Sequence, residues 1–340
     1  MPEPRLRALV LAAGRGERLR PLSDFLPKPL LPIAGRPVAG HSLAALRAAG
    51  CEAVAINLHH LGDQIRAAFG DSFDGMPITY SPERELQGTL GALYPLRDFL
   101  GGAELVLLIN GDSHCRWPLR RLIRRHRQRG AQVTLLLSRR ARPGDYDGGV
   151  GIDREGRVVE LRGSPARGEV AARWVYAGAH TIEPELLGRV PEGPGDLIAG
   201  LYAPLLAQGA RIESVTTRRP WHDLGTPRRY LEAVLERAGV AWRGSRVERG
   251  ARIGRGARLW RSVVGEGAAI ESPARVEASL LFAGTRVGER AAVRGAILGP
   301  GVDLPAGTAV DGRLLTPLRA GVVPGARDSV VGGLVFTPVG

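Results

Sequence analysis

The chain of 340 residues is poor in lysine, cysteine and aromatic side chains. Lys28 is the only lysine among the 47 Lys and Arg residues, and aromatic residues make up 5% of the chain. Two cysteines, Cys51 and Cys115, are too few for a disulfide framework or a zinc site. This composition predicts a protein of a reducing, cytoplasmic compartment.

Long hydrophobic runs are also absent. No apolar stretch approaches the roughly 18 residues that a membrane-spanning helix needs. The short apolar run that follows the N-terminus lacks the length and the cleavage signal of a secretory peptide. We therefore expect no membrane partner.

A formal net charge of +13 raises the question of nucleic-acid binding. Arginine is spread over the whole chain, however, and its densest cluster, 120–130, has the pattern of one exposed helix. The buried stripe of that helix would consist of Leu119, Leu122, Ile123 and His126. The charge is typical of a compositional bias, and we expect no nucleic-acid partner.

Apolar, strand-like runs alternate with helical segments over the first two thirds of the chain. The runs cover residues 6–13, 52–58, 104–110, 131–138 and 173–180. Near-continuous apolar strands are typical of a sheet buried on both faces. The pattern predicts a doubly wound α/β domain with a mostly parallel sheet, over residues 1–240, which binds ligands beyond the carboxyl ends of its strands.

From Val247 onward the spacing of apolar residues changes. Aliphatic residues recur at close to six-residue spacing with glycine and small residues between them, at Val247, Ile253, Leu259, Val264, Ile270, Val276, Val287 and Val293. The spacing slips near Leu259 and again around Leu281. A hexapeptide solenoid places one aliphatic residue inward on each short face. We therefore predict a left-handed parallel β-helix over residues 241–340.

A glycine-rich segment follows the first strand. Gly14 and Gly16 let backbone amides approach phosphate oxygens or a base edge closely. They complete neither a Walker loop nor the dinucleotide pattern G-x-G-x-x-G. The motif gains specificity from the residues that follow, which are Arg18-Leu19, Pro21-Leu22-Ser23 and Pro27-Lys28-Pro29.

With these residues the chain resembles the sugar-1-phosphate nucleotidyltransferases, whose signature L-A-A-G-x-G-x-R-L-x-P-L-(S/T)-x-x-x-P-K-P begins here at Leu11. The resemblance covers about residues 5–235 and continues through "ELQGTLGAL", "NGDS", "YAGAH" and "WHDLGTPRRYLEA". It implies a Rossmann-like domain, and a hexapeptide β-helix follows that domain in several branches of the family.

The resemblance implies a Mg²⁺-dependent reaction between a nucleoside triphosphate and a sugar 1-phosphate. Asp112 and Asp223 follow strand-like runs, and two carboxylates suit a hard ion that prefers oxygen ligands. In the family these positions hold the metal, while Arg18 and Lys28 would contact the triphosphate and the transferring phosphate. The residues implied for the nucleotide are Leu11, Ala12, Ala13, Gly14, Gly16, Gln87, Gly88 and Thr89, and those for the sugar are Glu83, Asn110 and Gly178.

The chain departs from the family pattern at the position of a second lysine. Many family members bind the sugar phosphate through an E-K-P segment, where this chain has Gly163-Ser164-Pro165. Arg162 or Arg167 would have to supply the charge, although a guanidinium is a broad fork and not a point charge.

Within the family, "INLHHLGDQI" and "QGTLGAL" look most like the branch that makes GDP-mannose. Uridylyl or thymidylyl transfer to glucose or amino-sugar phosphates is the alternative. A nonreactive homologue that senses sugar nucleotides is a further one. An acyltransferase β-helix is disfavoured, because all seven histidines lie at or before His222. We expect the β-helix to be an oligomerisation or regulatory platform of a homo-oligomer.

Overall fold

A computed structural model describes residues 4–146, 149–162, 164–240, 244–320 and 323–340. The chain forms two compact units. The first contains the residues up to Arg15 together with Val38–Trp221, and the second contains Gly16–Pro37 together with His222–Gly340. The glycine-rich signature segment is therefore divided between the units. The predicted domain boundary at 240 stays a prediction, and residues 241–243 and Gly163 lie outside the described residues.

Seven α-helices and fourteen strands lie in the described part of the chain up to residue 237, together with short 3₁₀ helices and a π-helical turn. The helices are α1 (Val38–Ala48), α2 (Gly62–Phe69), α3 (Gly88–Gly91), α4 (Arg97–Gly101), α5 (Leu119–Arg129), α6 (Ala203–Ala207) and α7 (Pro227–Arg237). The strands are β1 (Leu6–Leu11), β2 (Pro32–Ile33), β3 (Arg36–Pro37), β4 (Cys51–Leu58), β5 (Ser72–Phe73), β6 (Met76–Pro82), β7 (Leu105–Asn110), β8 (Ser113–Cys115), β9 (Val133–Ser138), β10 (Val150–Ile152), β11 (Val158–Glu160), β12 (Ala172–Ile182), β13 (Ile212–Thr217) and β14 (Trp221–Asp223).

The first unit is built on a ten-stranded mixed sheet. Its centre is parallel: β1 lies between β4 and β7, and β6 continues the parallel arrangement beyond β4. Strand β12 runs antiparallel to β7 and to β9, and β9 pairs in parallel with β13. The central strands are apolar almost throughout because both faces of the sheet are buried. The predicted α/β class with a mostly parallel sheet is confirmed.

Helix α5 shows how the arginine-rich segment folds. Its buried residues are Leu119, Leu122, Ile123 and His126, as predicted, and Gly130 ends it in the left-handed conformation. The His126 ring contacts the Thr134 hydroxyl and the Glu183 carboxylate, each at 2.9 Å. Burial lowers the pKa of His126 against the opposing effect of Glu183. None of the described helices is long and apolar enough to cross a membrane.

The second unit contains the β-helix, whose strands form three sheets. The strands are β15 (Arg246–Val247), β16 (Arg252–Ile253), β17 (Arg258–Trp260), β18 (Val263–Val264), β19 (Ala269–Ile270), β20 (Arg275–Glu277), β21 (Leu280–Leu281), β22 (Arg286–Val287), β23 (Ala292–Arg294), β24 (Ile297–Leu298), β25 (Asp303–Leu304), β26 (Ala309–Asp311), β27 (Arg313–Pro317), β28 (Ser329–Val331) and β29 (Leu334–Pro338). All eight predicted repeat positions lie on these strands, and the hexapeptide-repeat β-helix is confirmed.

The length of one coil explains the slips in the six-residue spacing. Stacked residues are 17 positions apart, as in the ladder in which the Ser279 amide donates to the Ser262 hydroxyl and the Ala296 amide to the Ser279 hydroxyl. Three faces of six residues would need about 18. One face is therefore a residue shorter, and the pattern shifts once per coil, after Leu259 and again before Leu281.

The signature segment Gly16–Pro37 is held inside the second unit by specific contacts. The buried Tyr230 of α7 donates its hydroxyl to the Pro32 carbonyl oxygen at 2.8 Å. Arg319 donates to the Asp24 carbonyl oxygen at 3.3 Å, and its guanidinium lies 4.1 Å from the centre of the Phe25 ring. The segment is thus fastened at two points to elements that follow it by about 200 residues or more.

We predict that Tyr230→Phe lowers the free energy of unfolding by about 1–2 kcal/mol, because it leaves the Pro32 carbonyl oxygen without its donor. Chemical denaturation measures the change. Tyr80→Phe is the matched control, since Tyr80 also donates to a carbonyl oxygen, that of Gly70, but in an exposed hydrogen bond. Equal losses in the two variants would contradict the role given to Tyr230.

Candidate active site

In the first unit, the predicted base-binding segment begins where β1 ends. Leu11 is paired with Asn57 at the end of β4 and with Asn110 at the end of β7. The Ala12 amide donates to Asn57 Oδ1 at 2.7 Å, and the Gly111 amide donates to the Leu11 carbonyl oxygen at 2.8 Å. The carboxyl ends of three adjacent parallel strands are therefore tied together at the place where this class of sheet binds ligands.

A side-chain relay extends from this edge to the predicted Gln87 segment. Asn57, which is 3% exposed, donates through Nδ2 to Glu83 Oε1 at 2.7 Å. Glu83 Oε2 accepts the Gln87 amide at 2.9 Å. The relay thus joins Ala12 to Gln87 through Asn57 and Glu83. Sequence reasoning missed Asn57. Its assignment of Glu83 to the sugar stays a prediction; in the structure each oxygen of Glu83 accepts a hydrogen bond within the relay.

The turn at Gln87–Gly91 needs glycine for two physical reasons. Gly88 has a left-handed φ of +68°, and a Cβ there would lie 2.5 Å from the Gly195 carbonyl oxygen. Gly195 exchanges backbone hydrogen bonds with this turn, and the Thr89 hydroxyl accepts the Leu197 amide at 2.8 Å. The predicted nucleotide residues Gln87, Gly88 and Thr89 are thereby fixed to the segment around Gly195.

The predicted residues Asn110, Asp112 and Gly178 lie together at the end of β7. Gly178 has a φ of +80°, and a Cβ there would contact Asn110 Cβ and Ser113 Oγ at 3.3 Å. Gly178 lies where the pairing of β12 with β9 changes register. Burial, and to a lesser extent the Asp112 carboxylate, raises the pKa of Tyr176. Asp112 is therefore within electrostatic reach of that phenol.

A small cavity of about 100 Å³ opens beside these residues. Leu11, Thr89 and Asn110 line it, and so do three residues that sequence reasoning did not assign: Tyr176, His180 and Tyr202. The "YAGAH" motif contains the first two of these, and their spacing of four on a strand is the signal that could have linked them to one face.

Two buried polar atoms in the lining of this cavity lack a partner among the described residues. They are His180 Nε2 and the Tyr202 hydroxyl oxygen. Burial lowers the pKa of His180 to about 3, so the ring is neutral near pH 7. The Tyr176 hydroxyl lies 2.6 Å from His180 Nδ1 and, as a protonated phenol, donates to it. This leaves the imidazole proton on Nε2, where it can donate to an oxygen of a ligand.

In the second unit, Lys28 lies over a glycine. Gly16 has a φ of +70°, and a Cβ there would be 3.2 Å from Lys28 Cγ and 3.3 Å from Cε. The Ser23 hydroxyl donates to the Gly16 carbonyl oxygen at 2.9 Å. Lys28 opens a short 3₁₀ turn that ends at Leu30, with Pro29 buried within it. The stem of the lone lysine is thus packed on the glycine-rich turn, which fixes where its ammonium can reach.

Arg18 and Asp223 meet at Gly225 in the same unit. A Cβ on Gly225 would lie 2.7 Å from Arg18 Nη2 and 3.0 Å from Asp223 Oδ1. Asp223 Oδ2 also pairs with Arg229 Nη1 at 2.6 Å. Arg229 was not predicted, and its place is set by α7, whose N-terminus the Thr226 hydroxyl caps by accepting the Arg229 amide at 3.3 Å.

The donor chemistry of Asp112 and Asp223 fits Mg²⁺, which commonly takes one or two protein carboxylates and completes its shell with water and phosphate. No group of three or more His, Cys, Asp or Glu side chains placed to hold a metal occurs in the described ranges. Asp112 belongs to the first unit and Asp223 to the second; their joint role as metal ligands stays a prediction.

The segment that replaces the family's second lysine is held by its own turn. The Ser164 hydroxyl donates to the Leu161 carbonyl oxygen at 2.9 Å and accepts the Leu161 amide at 3.2 Å. Arg167 lines a surface cleft together with Asp153 and Glu169. The lining of that cleft includes none of the predicted site residues, so a sugar-phosphate role for Arg162 or Arg167 stays a prediction.

A family model described as "Nucleotidyl transferase" matches residues 7–238, which include every residue of the candidate site described above. The chain belongs to this family. A second model, described as "GlmU-like, C-terminal hexapeptide", matches residues 227–313 of the nucleotidyl transferase chain and agrees with the coils of its β-helix. The family resemblance seen in the signature is confirmed.

Several relatives of the chain carry functional names. It is 34% identical over 226 residues to a mannose-1-phosphate guanylyltransferase of Mycobacterium tuberculosis, covering 65% of this chain and 61% of that protein. It is 29% identical to a mannose-1-phosphate guanylyltransferase catalytic subunit beta of Drosophila pseudoobscura, with 66% and 60% covered. It is 28% identical to a UTP–glucose-1-phosphate uridylyltransferase of Synechocystis, with 67% and 62% covered. The chain thus spans about three fifths of the length of these relatives.

A solved structure shares the fold. The crystal structure of HddC from Yersinia pseudotuberculosis matches with a TM-score of 0.56 and 21% identity, covering 68% of this chain and 98% of that one. The likeness supports the α/β architecture of this nucleotidyl transferase.

We predict that Asn57→Ala weakens nucleotide binding by about tenfold and destabilises the fold by about 1–3 kcal/mol, because it removes the acceptor of the Ala12 amide and the donor to Glu83 Oε1. Calorimetric titration with GTP and UTP measures the first effect. Ser81→Ala is the control, since Ser81 is paired with Asn57 on the adjacent strand. Unchanged nucleotide affinity in a destabilised Asn57 variant would show that the relay has only a structural role.

Proposed function

We propose that this chain is a sugar-1-phosphate nucleotidyltransferase that joins a sugar 1-phosphate to the α-phosphate of a nucleoside triphosphate and releases pyrophosphate. The observation that carries the proposal is the relay from Ala12 through Asn57 and Glu83 to Gln87. It fixes two separate backbone segments that the family signature assigns to the base. Preorganised amides of this kind bind a base edge without reorganisation on binding.

The reaction requires charge neutralisation more than proton transfer. The attacking group is an ionised phosphate oxygen, so no general base is needed, and the barrier comes from bringing two polyanions together. Lys28, on its glycine support, and Arg18, beside Gly225, supply positive charge from two parts of the second unit. They would bind the triphosphate and the transferring phosphate.

Asp112 and Asp223 are the residues that would hold Mg²⁺. When bound, this ion neutralises phosphate charge and orients phosphate oxygens. Arg229 already pairs with Asp223 Oδ2, so it holds the carboxylate in one orientation and leaves Oδ1 toward Gly225. Arg229 would therefore position the ligand while lowering the net negative charge offered to the cation.

The sugar would be recognised at the cavity beside Asn110. His180 Nε2 and the Tyr202 hydroxyl supply two fixed polar contacts in a buried setting, and sugar hydroxyl groups can both donate and accept. A site with buried polar groups discriminates strongly against a substrate that leaves them unpaired. We propose that this lining contributes to the choice of sugar.

Mannose 1-phosphate and GTP are the proposed substrates, supported by the names of the relatives from Mycobacterium tuberculosis and Drosophila pseudoobscura. The uridylyltransferase of Synechocystis supports the alternative of UTP with glucose 1-phosphate. Pyrophosphate release over a grid of nucleoside triphosphates and sugar 1-phosphates, with Mg²⁺, tests both. We expect the fastest turnover with GTP and mannose 1-phosphate. Nucleotide-sugar binding without turnover for any pair would favour a nonreactive sensing homologue.

Lys28→Arg is expected to lower kcat by about tenfold or more, equivalent to at least about 1.4 kcal/mol of transition-state stabilisation. Arginine keeps the charge but replaces a compact ammonium on a packed stem with a broad planar fork. Single-turnover kinetics on the best substrate pair measures the change. Arg20→Lys, a conservative change at an exposed ion pair of the same segment, is the control. A Lys28→Arg variant with the wild-type kcat would remove Lys28 from the chemistry.

A further inference from the structure

A second cleft, outside the candidate active site, lies between helix α5 and the strands beside it. It has a volume of about 520 Å³. One wall is the face of α5 that carries Arg121, Arg124, Arg125 and Gln128, and the opposite side includes the turn after β10 and the start of β12. None of the residues predicted for nucleotide, sugar or metal lines it. A cleft of this size accommodates a small organic molecule.

Positive charge dominates the lining. Five arginines line the cleft: Arg121, Arg124, Arg125, Arg139 and Arg154. Within the described part of the chain, Arg121, Arg124 and Arg139 form no ion pair with a carboxylate. Other arginines do form such pairs, as Arg173 with Glu160 at 2.7 Å and Arg228 with Glu232 at 2.9 Å. The charge of the three cleft arginines is therefore not neutralised by a carboxylate of the described residues.

The acidic residues near the cleft are largely occupied. Glu213, 2% exposed, neutralises Arg125 at 2.8 Å. Asp153 Oδ1 accepts the backbone amides of Glu155 and Arg157, which closes the turn after β10. Glu155 also lines the cleft, and Glu169 pairs with Arg154 at 3.3 Å on the outer surface. The cleft keeps a net positive charge, and the buried Arg125 Nε has no partner among the described residues.

A flat surface completes the cleft. The Arg139 guanidinium lies 4.8 Å from the centre of the half-buried Trp174 ring. Bases stack on aromatic rings and on guanidinium planes with little dependence on sequence. Guanidinium groups also match phosphate oxygens as bidentate donors. One lining thus offers contacts for a base and for several phosphates.

We propose that this cleft is a second binding site, for a nucleoside di- or triphosphate, with the phosphates bound by Arg121 and Arg124 and the base against Arg139 and Trp174. The strand β12 connects it to the candidate active site, because Trp174 precedes Tyr176 by two residues. The cleft and the proposed sugar cavity therefore share one strand. The binding claim itself does not depend on the proposed reaction.

Calorimetric titration of the full chain tests the site, with ATP, GTP and inorganic tripolyphosphate as probes and EDTA present. The background carries Arg18→Ala and Lys28→Ala, which weaken the candidate active site. We expect one remaining site, with nucleotides bound more tightly than tripolyphosphate, and at least about tenfold weaker binding after Arg124→Glu with Arg139→Glu. Tenfold corresponds to about 1.4 kcal/mol.

Arg127→Glu with Arg129→Glu is the matched control, because it makes the same charge change with two arginines of α5 that do not line the cleft. We expect less than about a twofold effect from it. Equal weakening in the two double variants, or nucleotides bound no more tightly than tripolyphosphate, overturns the proposal. In the chain with Arg18 and Lys28 intact, we expect two nucleotides bound per chain. We expect Arg124→Glu with Arg139→Glu to reduce that number to one, and an unchanged number also overturns the proposal. Pyrophosphate release on the substrate grid is measured separately. A failure of the proposed reaction is therefore distinguishable from a failure of binding in the cleft.

Discussion

The packing of the Lys28 stem on Gly16 is the contact on which the proposed chemistry depends. A left-handed glycine is needed, because a Cβ there would lie 2.9 Å from Ser23 Cβ as well as against the lysine. The segment that carries both residues belongs to the same compact unit as the β-helix. Its fixed points are Tyr230 on α7 and Arg319 after β27. The second unit, which contains the β-helix, therefore positions the signature segment, whatever the role of the β-helix in assembly. The homo-oligomer expected from the sequence stays a prediction.

The strands and helices could be predicted because their signals are local. Continuous apolar runs marked β1, β4, β7, β9 and β12, and the buried stripe of α5 followed from helical spacing. The repeat positions of the β-helix were also visible. The reason for their slips was not, because a coil of 17 residues with one short face only becomes evident when strands are paired.

Contacts between distant residues could not be predicted from patterns. Asn57 serves Ala12 and Glu83, which lie 45 and 26 residues away. Nothing in the sequence marks Arg229, and its pairing with Asp223 becomes evident only when α7 is folded. Tyr202 belongs to an ordinary buried segment, and its unpartnered hydroxyl singles it out only in the fold; His180 stands in the "YAGAH" motif, but its unpartnered Nε2 is likewise visible only there. The glycines Gly16 and Gly88 could be found, since each stands in a signature whose backbone geometry excludes other residues.

The scarcity of lysine in the chain and its presence at position 28 have related physical explanations. An arginine bias replaces lysine freely where a side chain ends in solvent or in a surface ion pair, because either cation is accepted there. At position 28 the stem packs on Gly16, and the residue stands between two prolines. A guanidinium there would present a broad planar fork in place of a compact ammonium. We therefore expect shape, and not charge, to limit substitution at the single lysine, whereas in the α5 cleft the broad fork of arginine suits the phosphate groups that we propose it binds.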